Sequence, residues 1–223
     1  MTPCFEEKEL TEKAAVWIQE WQRSELRSRL SVFLQEHAKK TLERVDKIMC
    51  FGLGCFPTQW ERSRQRSYTQ HLAACTVRDL IAQQQGGAAP QIFAQDPSYC
   101  AAGMSYIQSH FNMSILDDPE GFKALDGHTF VLSFAPNVPV RQITLGLTHE
   151  SNGPAGLFCD RIRSEGLECN GKRCEDGRVC PYTTCEPSPA VWKYKQESYW
   201  IEYRDRDEQN YFGEVGVYLK KRA

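Results

Sequence analysis

The sequence KIMCFGLGCF, residues Lys47–Phe56, decides the fold of this chain. Its apolar run from Ile48 to Phe51 has no polar alternation, which is typical of a strand buried on both faces, as in the middle of a parallel sheet. Gly52 and Gly54 follow at once, and because glycine tolerates positive φ they predict a tight turn where the strand leaves the sheet. Open α/β sheets bind their ligands at this carboxyl edge, so Gly52 and Gly54 are candidate cofactor-binding residues.

The glycine turn is incomplete as a dinucleotide-binding fingerprint. That fingerprint is G-x-G-x-x-G leading straight into a helix, with an acidic residue about 20 residues further on. Here the third glycine is absent, and residues 57–60 read PTQW. The turn therefore has two interpretations: a cofactor site, or a bend that the end of the strand requires sterically.

The composition is that of an ordinary globular protein. The 223 residues are 41% hydrophobic and 25% charged, and the net charge of -2 favours neither nucleic acid nor an anionic membrane as a partner. The first ten residues, MTPCFEEKEL, resemble no signal segment, and no apolar run is long enough to span a membrane, so we expect a cytoplasmic or nuclear protein. In a reducing compartment, the ten cysteines are expected as buried side chains, metal ligands or reactive thiols rather than disulfides.

Helical periodicity covers the chain before the first strand. From Glu6 to about Val45 it predicts a helical segment, interrupted once, that packs on the sheet. The apolar stripe consists of Trp17, Trp21, Leu26, Leu30, Phe33 and Leu34. A further helix is predicted from Ser67, as its N-cap, to Gln83. The arginines before it would form either an anion site at its N-terminus or part of a solvated loop; they are Arg62, Arg64 and Arg66.

Strands and helices alternate along the middle of the chain. Further strands are predicted at 91–95, 113–116 and 128–134, helices at 98–111 and 119–125, and a helix or strand at 141–147. This alternation predicts an α/β protein with a Rossmann-like, mostly parallel sheet and helices on both faces. Asp96 ends the second strand, where nucleotide-binding folds hold a ribose. It follows Gly52 at twice the usual interval, and an Asp-Pro turn explains it equally well.

Taken together, these segments resemble the SRR-like domain family, named after a plant protein whose loss reduces sensitivity to red light. The resemblance runs from Val45 to Leu147, about half of the chain. Its most specific features are the Gly-Leu-Gly turn, the pair Gln70-His71 within a helix, and Asp96-Pro97. The segments that carry it are KIMCFGLGCF, RSYTQHLAACTVRDL, QIFAQDPSY, MSILDD and HTFVLSFAPNVP.

The resemblance implies an intracellular eukaryotic protein of the fungal type with a regulatory role. The family is linked to circadian and light signalling, to cytoskeletal phenotypes in yeast and to haem-related regulation in animals, and it brings no settled catalytic activity. Many members follow the fourth strand with Pro-His-Cys-Pro, whereas this chain has Pro-Asn-Val-Pro at 136–139. No histidine or thiol role can therefore be transferred to that position.

His71 is a candidate ligand-binding residue. It lies four residues before Cys75 on the same face of the predicted helix and near the glycine turn, so a polar cluster with Asp96 is one interpretation. The alternative is a histidine that is hydrogen-bonded inside the domain.

The tail of the chain carries a second unusual stretch, in which four cysteines fall within seventeen residues of turn-forming sequence: Cys169, Cys174, Cys180 and Cys185. Four thiolates could bind a tetrahedral zinc ion, but spacers of four, five and four residues fit no C-x-x-C knuckle. Disulfides and unligated thiols are the alternatives. Beyond them, alternating residues at 198–205 and 211–220 predict an antiparallel hairpin at the edge of the sheet, an arrangement similar to class I methyltransferases.

The sequence thus divides into four parts. They are an N-terminal helical segment packing on the core (1–45), the SRR-like Rossmann-like domain (46–148), a Cys/Gly/Pro-rich loop insertion (149–190) and a C-terminal β-hairpin completing the sheet (191–223).

Three functions are compatible with these features. The first is a regulatory or interaction protein with protein partners and a small ligand at the carboxyl edge of the sheet. The second is an enzyme that uses S-adenosylmethionine or a nucleotide at Gly52 and Gly54, with Asp96 on a ribose; haem is a further candidate ligand. The third, zinc-dependent nucleic-acid binding, lacks a basic surface. No nucleophile or base can be assigned, so whether the protein is an enzyme stays open.

Overall fold

The computed structural model describes residues 5–41, 44–56, 60–163, 188–204 and 211–221. Within them one mixed sheet has the strand order β3-β2-β1-β4-β5-β7-β6. The strands are β1 (Lys47–Phe51), β2 (Gln91–Gln95), β3 (Met113–Ile115), β4 (Thr129–Ser133), β5 (Gly156–Asp160), β6 (Ser198–Arg204) and β7 (Glu214–Lys220). Neighbouring strands from β3 to β5 pair in parallel, and β7 runs antiparallel to both β5 and β6. The predicted α/β fold with a mostly parallel Rossmann-like sheet and an antiparallel C-terminal hairpin is confirmed.

Helices cover both faces of this sheet. The helices of the described residues are α1 (Glu7–Arg23), α2 (Glu25–Thr41), α3 (Glu61–Gln85), α4 (Ala101–Phe111), α5 (Glu120–Lys123), α6 (Val140–Leu147) and α7 (Pro189–Gln196). Apolar residues of α1 to α4 share one core with one face of the sheet, whereas α5, α6 and α7 contribute to a second core on the other face. No helix among the described residues is long and apolar enough to cross a membrane.

β1 lies in the interior of the sheet, as its sequence predicts. It pairs in parallel with β2 on one side and β4 on the other. Ile48 and Cys50 belong to the first core, and Met49 and Phe51 belong to the second. Both faces of the strand are therefore buried, which explains why its sequence has no polar alternation.

The N-terminal helices pack as the periodicity predicts. α1 and α2 meet at Ser24, which is the single predicted interruption. All six residues of the predicted stripe are buried in the first core. The indole nitrogen of Trp21 also donates to Thr76 Oγ1 on α3 at 2.9 Å, so the helical pair is held to the domain by a directed hydrogen bond as well as by apolar contact.

α3 begins six residues earlier than predicted, at Glu61. Ser67 is therefore a buried residue inside the helix and not its N-cap. Arg64 lies in the first turns of α3 with only 1% of its surface exposed, and its Nη2 atom pairs with Glu9 at 3.1 Å and Glu61 at 2.6 Å. Neither interpretation of Arg62, Arg64 and Arg66, as an anion site before the helix or as part of a solvated loop, is correct. All three lie inside α3, and α1 supplies a carboxylate partner for Arg64 that the sequence pattern of α3 does not reveal.

β5 is a strand that the sequence analysis missed, within the stretch 149–190 that it assigned to a loop. The strand begins at Gly156, and a Cβ atom at this position would lie 2.5 Å from the ring of Phe130 on the neighbouring β4. Close packing between two strands thus explains a glycine that the sequence pattern alone assigns to a loop. Residues 141–147, which the sequence analysis assigned to either a helix or a strand, belong to α6.

Candidate functional site

The strand order reverses between β1 and β4. From β1 the chain continues through α3 to β2 on one side, and from β4 it continues through α6 to β5 on the other. Such a reversal leaves a crevice at the carboxyl ends of the two strands, where α/β folds bind ligands. The loops after β1 and β4 meet there, since a Cβ atom on Gly52 would lie 4.0 Å from Cα of Pro136.

The backbone of the turn after β1 requires glycine. Gly52 has φ of 72° and Gly54 has φ of 80°, both in the left-handed region. A Cβ atom on Gly54 would also lie 2.4 Å from Ser67 Oγ, whereas Gly52 has ordinary clearance. The N–H of Gly52 donates to the carbonyl of Gln95 at 3.2 Å, which ties the turn to the end of β2.

Asp96 holds the same turn through its side chain. Its Oδ2 atom accepts a hydrogen bond from the Gly54 N–H at 2.6 Å, although the two residues are 42 positions apart in the chain. Its Oδ1 atom accepts from the N–H and the hydroxyl of Ser98, at 2.8 Å and 2.6 Å. These three bonds fill three of the about four acceptor positions of a carboxylate. The predicted juxtaposition of Gly54 and Asp96 is therefore direct contact.

His71 lies behind this turn, fully buried on α3. Its Nδ1 atom is 2.7 Å from the Ser67 carbonyl, which can only accept, so Nδ1 carries the proton and Nε2 accepts from the Tyr99 hydroxyl at 3.0 Å. Burial lowers the pKa of His71 to about 4, against the opposing effects of the Ser67 bond and the Asp96 charge. The imidazole is thus neutral at pH 7, both of its nitrogens are occupied, and it is the histidine hydrogen-bonded inside the domain.

A second carboxylate stands on the other side of the crevice. Asp160 ends β5, and its two side-chain oxygens lie 3.2 Å and 3.0 Å from the N–H of Ala135, which follows β4 with φ of 47°. Burial raises the pKa of Asp160, while Arg141, the Ala135 N–H and Arg66 act in the opposite sense. Asp160 thus holds the loop after β4 as Asp96 holds the loop after β1. Sequence reasoning missed Asp160 because it missed β5.

The ends of β2 and β3 extend this edge with further polar groups. Gln95 is buried, accepts from the Gly121 N–H at 2.7 Å and donates to Asp118 Oδ1 at 2.8 Å. Asp117 and Asp118 are exposed beyond the end of β3. The sequence signal for them is the pair of acids that closes MSILDD.

Ser133 is a buried hydroxyl at the end of β4. It is 2% exposed and lies opposite Phe51, the last residue of β1, in the parallel register. Its Oγ atom makes no hydrogen bond to any residue that the structure describes. Its strand neighbours Phe51 and Cys159 belong to the second core, so Ser133 is a buried polar group on the α5–α7 face of the sheet, without a partner among the described residues, although buried hydroxyls are normally paired.

The described ranges contain no candidate metal centre, because no three or more of their His, Cys, Asp or Glu side chains are grouped so that they could hold an ion. The predicted zinc ligands Cys169, Cys174, Cys180 and Cys185 lie outside the described residues. Burial raises the pKa of the Cys75 thiol to about 11 and that of Cys50 well above its ordinary value, so neither is a reactive thiolate at pH 7. Cys100 is disulfide-bonded, whereas the sequence analysis expected buried side chains, metal ligands or reactive thiols in preference to disulfides.

Comparisons with known proteins place the chain in a family. No curated protein sequence matches it. Among solved structures it is similar to that of the citrinin polyketide synthase CMeT domain. The TM-score is 0.39 and the sequence identity 13%, over 81% of this chain and 48% of that one. The chain thus spans about half the length of that solved chain. The family model of the SRR1 domain matches residues 18–218, well beyond the predicted limits of 45 and 147, and the chain therefore belongs to the SRR1 domain family.

Proposed function

We propose that this SRR1-family member is a regulatory protein that binds a small nucleoside ligand at the carboxyl edge of its sheet. The observation that carries the proposal is the 2.6 Å hydrogen bond from Gly54 to Asp96, which joins a glycine turn to an acid where the strand order reverses. A glycine turn lets a ligand approach the backbone closely, and an acid at the end of the next strand suits the hydroxyl groups of a ribose.

Asp96 has the capacity to accept a ribose while it keeps the turn in place. One of its about four acceptor positions is unused, and a second is filled only by the hydroxyl of Ser98, which can rotate away. The two donors of a ribose diol match these two positions. The bond to Gly54 would remain, so binding requires no opening of the turn.

His71 supports the site in this proposal without touching the ligand. Its Nε2 atom orients the Tyr99 hydroxyl, and its Nδ1–H is bound to the carbonyl of Ser67, the residue that packs against Gly54. A fully buried imidazole with both nitrogens engaged could ligate haem iron only by breaking these bonds. Haem therefore fits this position poorly.

The regulatory part of the proposal comes from the family. Circadian and light signalling, protein partners, a cytoplasmic or nuclear location and the fungal type are extended to this chain as parts of the same hypothesis. A ligand would serve such a role by stabilising one form of the crevice loops, because binding to one form shifts the population toward it.

A second candidate function is an enzyme of the methyltransferase type that uses S-adenosylmethionine. The position of β7, antiparallel between β5 and β6, favours it, since class I methyltransferases finish a parallel sheet with an antiparallel hairpin. The distinguishing measurement is conversion of S-adenosylmethionine to S-adenosylhomocysteine by the full chain in the presence of cell extract. Binding without conversion favours the regulatory role.

The proposal is tested by thermal unfolding of the full chain with a panel of ligands. The panel contains S-adenosylmethionine, adenosine, nucleotides, nicotinamide cofactors and haem, and a ligand at a hundred times its Kd adds about 2.7 kcal/mol of stability. Asp96→Asn should abolish or strongly reduce the shift, whereas Asp79→Asn, an exposed acid on α3 paired with Arg78, should leave it unchanged. Failure of every ligand to stabilise the wild-type chain would refute the small-ligand proposal.

Zinc binding by Cys169, Cys174, Cys180 and Cys185 remains a separate proposal about residues outside the described ranges. It predicts one zinc per chain in protein purified without added metal. Cys174→Ser should lower that content, and an unchanged metal content in this variant would refute the proposal.

A further inference from the structure

We infer that the ligand of this crevice is a nucleoside without phosphate groups, an inference that rests on the function proposed above. It follows from three features at the carboxyl edge of the sheet: the direction of α3, the acids at the ends of β2 and β3, and the Ser133 hydroxyl, which has no partner among the described residues. Each of these bears on whether a phosphate could be held next to a ribose bound at Asp96.

α3 does not begin at the glycine turn. Folds that bind a pyrophosphate start a helix directly after the glycine turn, so that the free N–H groups and the dipole of the helix N-terminus face the phosphates. Here α3 begins at Glu61, and the residue that packs against Gly54 is Ser67, six positions further along. At 1.5 Å per residue the helix N-terminus lies about 9 Å beyond the level of the turn. The turn therefore meets the side of α3 and not its N-terminus.

The charges at that N-terminus are also committed elsewhere. Glu61 occupies the first turn, where a phosphate would have to bind. Arg64, the buried arginine nearest to it, pairs through Nη2 with Glu61 and with Glu9 of α1, and its Nε and Nη1 atoms, which have no partner among the described residues, are buried away from the surface. A phosphate at this end of α3 would meet a carboxylate, and it would have to compete for the Arg64 guanidinium.

The second feature is the acidity of the edge beside the turn. Asp96, Asp117 and Asp118 follow β2 and β3, and the nearby Lys123 is paired with Glu120 at 2.7 Å. With strands about 4.8 Å apart, a phosphate attached to a ribose at Asp96 would lie about 5–10 Å from these carboxylates. Repulsion of a dianion at that range weakens binding about tenfold even at a high effective dielectric constant.

The positive charges of Arg141 and Arg66 act on Asp160, at the end of β5. Arg141 donates to the main-chain carbonyls of Asp160 and Arg161, and Arg66 lies close enough to Asp160 to lower its pKa. β5 is three strand spacings from β2, about 14 Å, so the single phosphate of AMP cannot reach Arg141 from a ribose at Asp96.

The third feature is Ser133. Its hydroxyl is buried at the end of β4, makes no hydrogen bond to a described residue, and can both donate and accept. An uncharged polar group of a ligand, such as a hydroxyl or a ring nitrogen, would form a hydrogen bond with this hydroxyl without the burial of a charge. The end of β4 thus offers an uncharged polar group and no positive charge for a phosphate.

The test compares adenosine, AMP, ATP, NAD and S-adenosylmethionine by calorimetric titration of the full chain. We expect adenosine and S-adenosylmethionine to bind, and AMP to bind about tenfold or more weakly than adenosine. In the double variant Asp117→Asn, Asp118→Asn the ratio between adenosine and AMP should shrink severalfold. Glu150→Gln, an exposed acid in the short 3-10 helix His149–Ser151 near the amino end of β5, is the matched control and should leave the ratio unchanged.

The outcomes separate this inference from the proposed function. If the wild-type chain binds none of the five compounds, the proposed function itself fails. If it binds AMP, ATP or NAD as tightly as adenosine, the phosphate-free class is wrong while the nucleoside site stands. A ratio that stays the same in the double variant also overturns the inference, because the acids would then play no part in selecting the ligand.

Discussion

At the scale of single residues, Gly54 is the most constrained position of the site. Its φ of 80° strains any side chain, and a Cβ atom would lie 2.4 Å from Ser67 Oγ. Gly52 has a similar φ of 72° with its nearest neighbour 4.0 Å away, so Gly52→Ala tests strain alone. We expect Gly52→Ala to cost about 1 kcal/mol of unfolding free energy and Gly54→Ala up to about 1 kcal/mol more, because the Ser67 hydroxyl must rotate away from the new methyl group. Urea unfolding measures both, and equal losses would contradict the clash.

His71 gives the protein a defined acid sensitivity. Its pKa is about 4 in the folded chain and 6.5 in its ordinary state, so between these values only the unfolded chain binds the proton. The contribution of neutral His71 to the free energy of unfolding should therefore be fully present above pH 6.5. Below pH 6.5 it should fall by about 1.4 kcal/mol per pH unit, a loss of about 3 kcal/mol by pH 4. In urea unfolding from pH 7 to pH 4.5, the difference in stability between the wild type and His71→Gln should shrink accordingly. His149→Gln, at an exposed histidine, is the control; parallel pH curves for the wild type and His71→Gln would contradict the assignment.

At the scale of elements, the contact of α1 with α3 combines packing with an imperfect ionic cluster. Arg64 pairs through Nη2 with Glu9 and Glu61, but its buried Nε and Nη1 atoms have no partner among the described residues. We expect Arg64→Met to change the free energy of unfolding by less than about 1 kcal/mol, because the lost ion pairs are offset by removal of two unpaired donors. Arg64→Ala should cost about 2–4 kcal/mol through the cavity it leaves. Equal losses in urea unfolding would show that charge, not packing, holds α1.

Sequence reasoning succeeded for elements whose signal is local. β1 and the paired helices α1 and α2 have apolar patterns that fit only one structure, and the residues of those patterns are buried. It failed where another element supplies the reason. Near the start of α3, Arg64 is buried against Glu9 of α1, and β5 starts with a glycine because Phe130 of β4 fills the space of a side chain.

At the scale of the whole molecule, the candidate site also combines contacts that the sequence predicts with contacts that it does not. The contact between Gly54 and Asp96 could be anticipated, because the end of one parallel strand lies beside the end of the next. The buried state of His71, its bond to Tyr99, and the pairing of Asp160 with Ala135 depend on side chains and loops that meet only in the folded chain. The part of the crevice that β5 contributes, including Asp160, was accordingly not predicted from the sequence, although β4 was.

The last strand of the chain completes the interior of the sheet. β7 pairs with β5 on one side and β6 on the other, and its Val217, Tyr218 and Leu219 are buried. A chain that ends at Arg204 would expose the edge of β5 and leave β6 without a partner, so most of the marginal stability of a domain would be lost. We expect this truncated chain to show no cooperative urea unfolding by circular dichroism. A chain that ends at Lys221 should unfold like the full chain, and a cooperative transition with an unchanged midpoint in the shorter chain would mean that β1 to β5 fold without the hairpin.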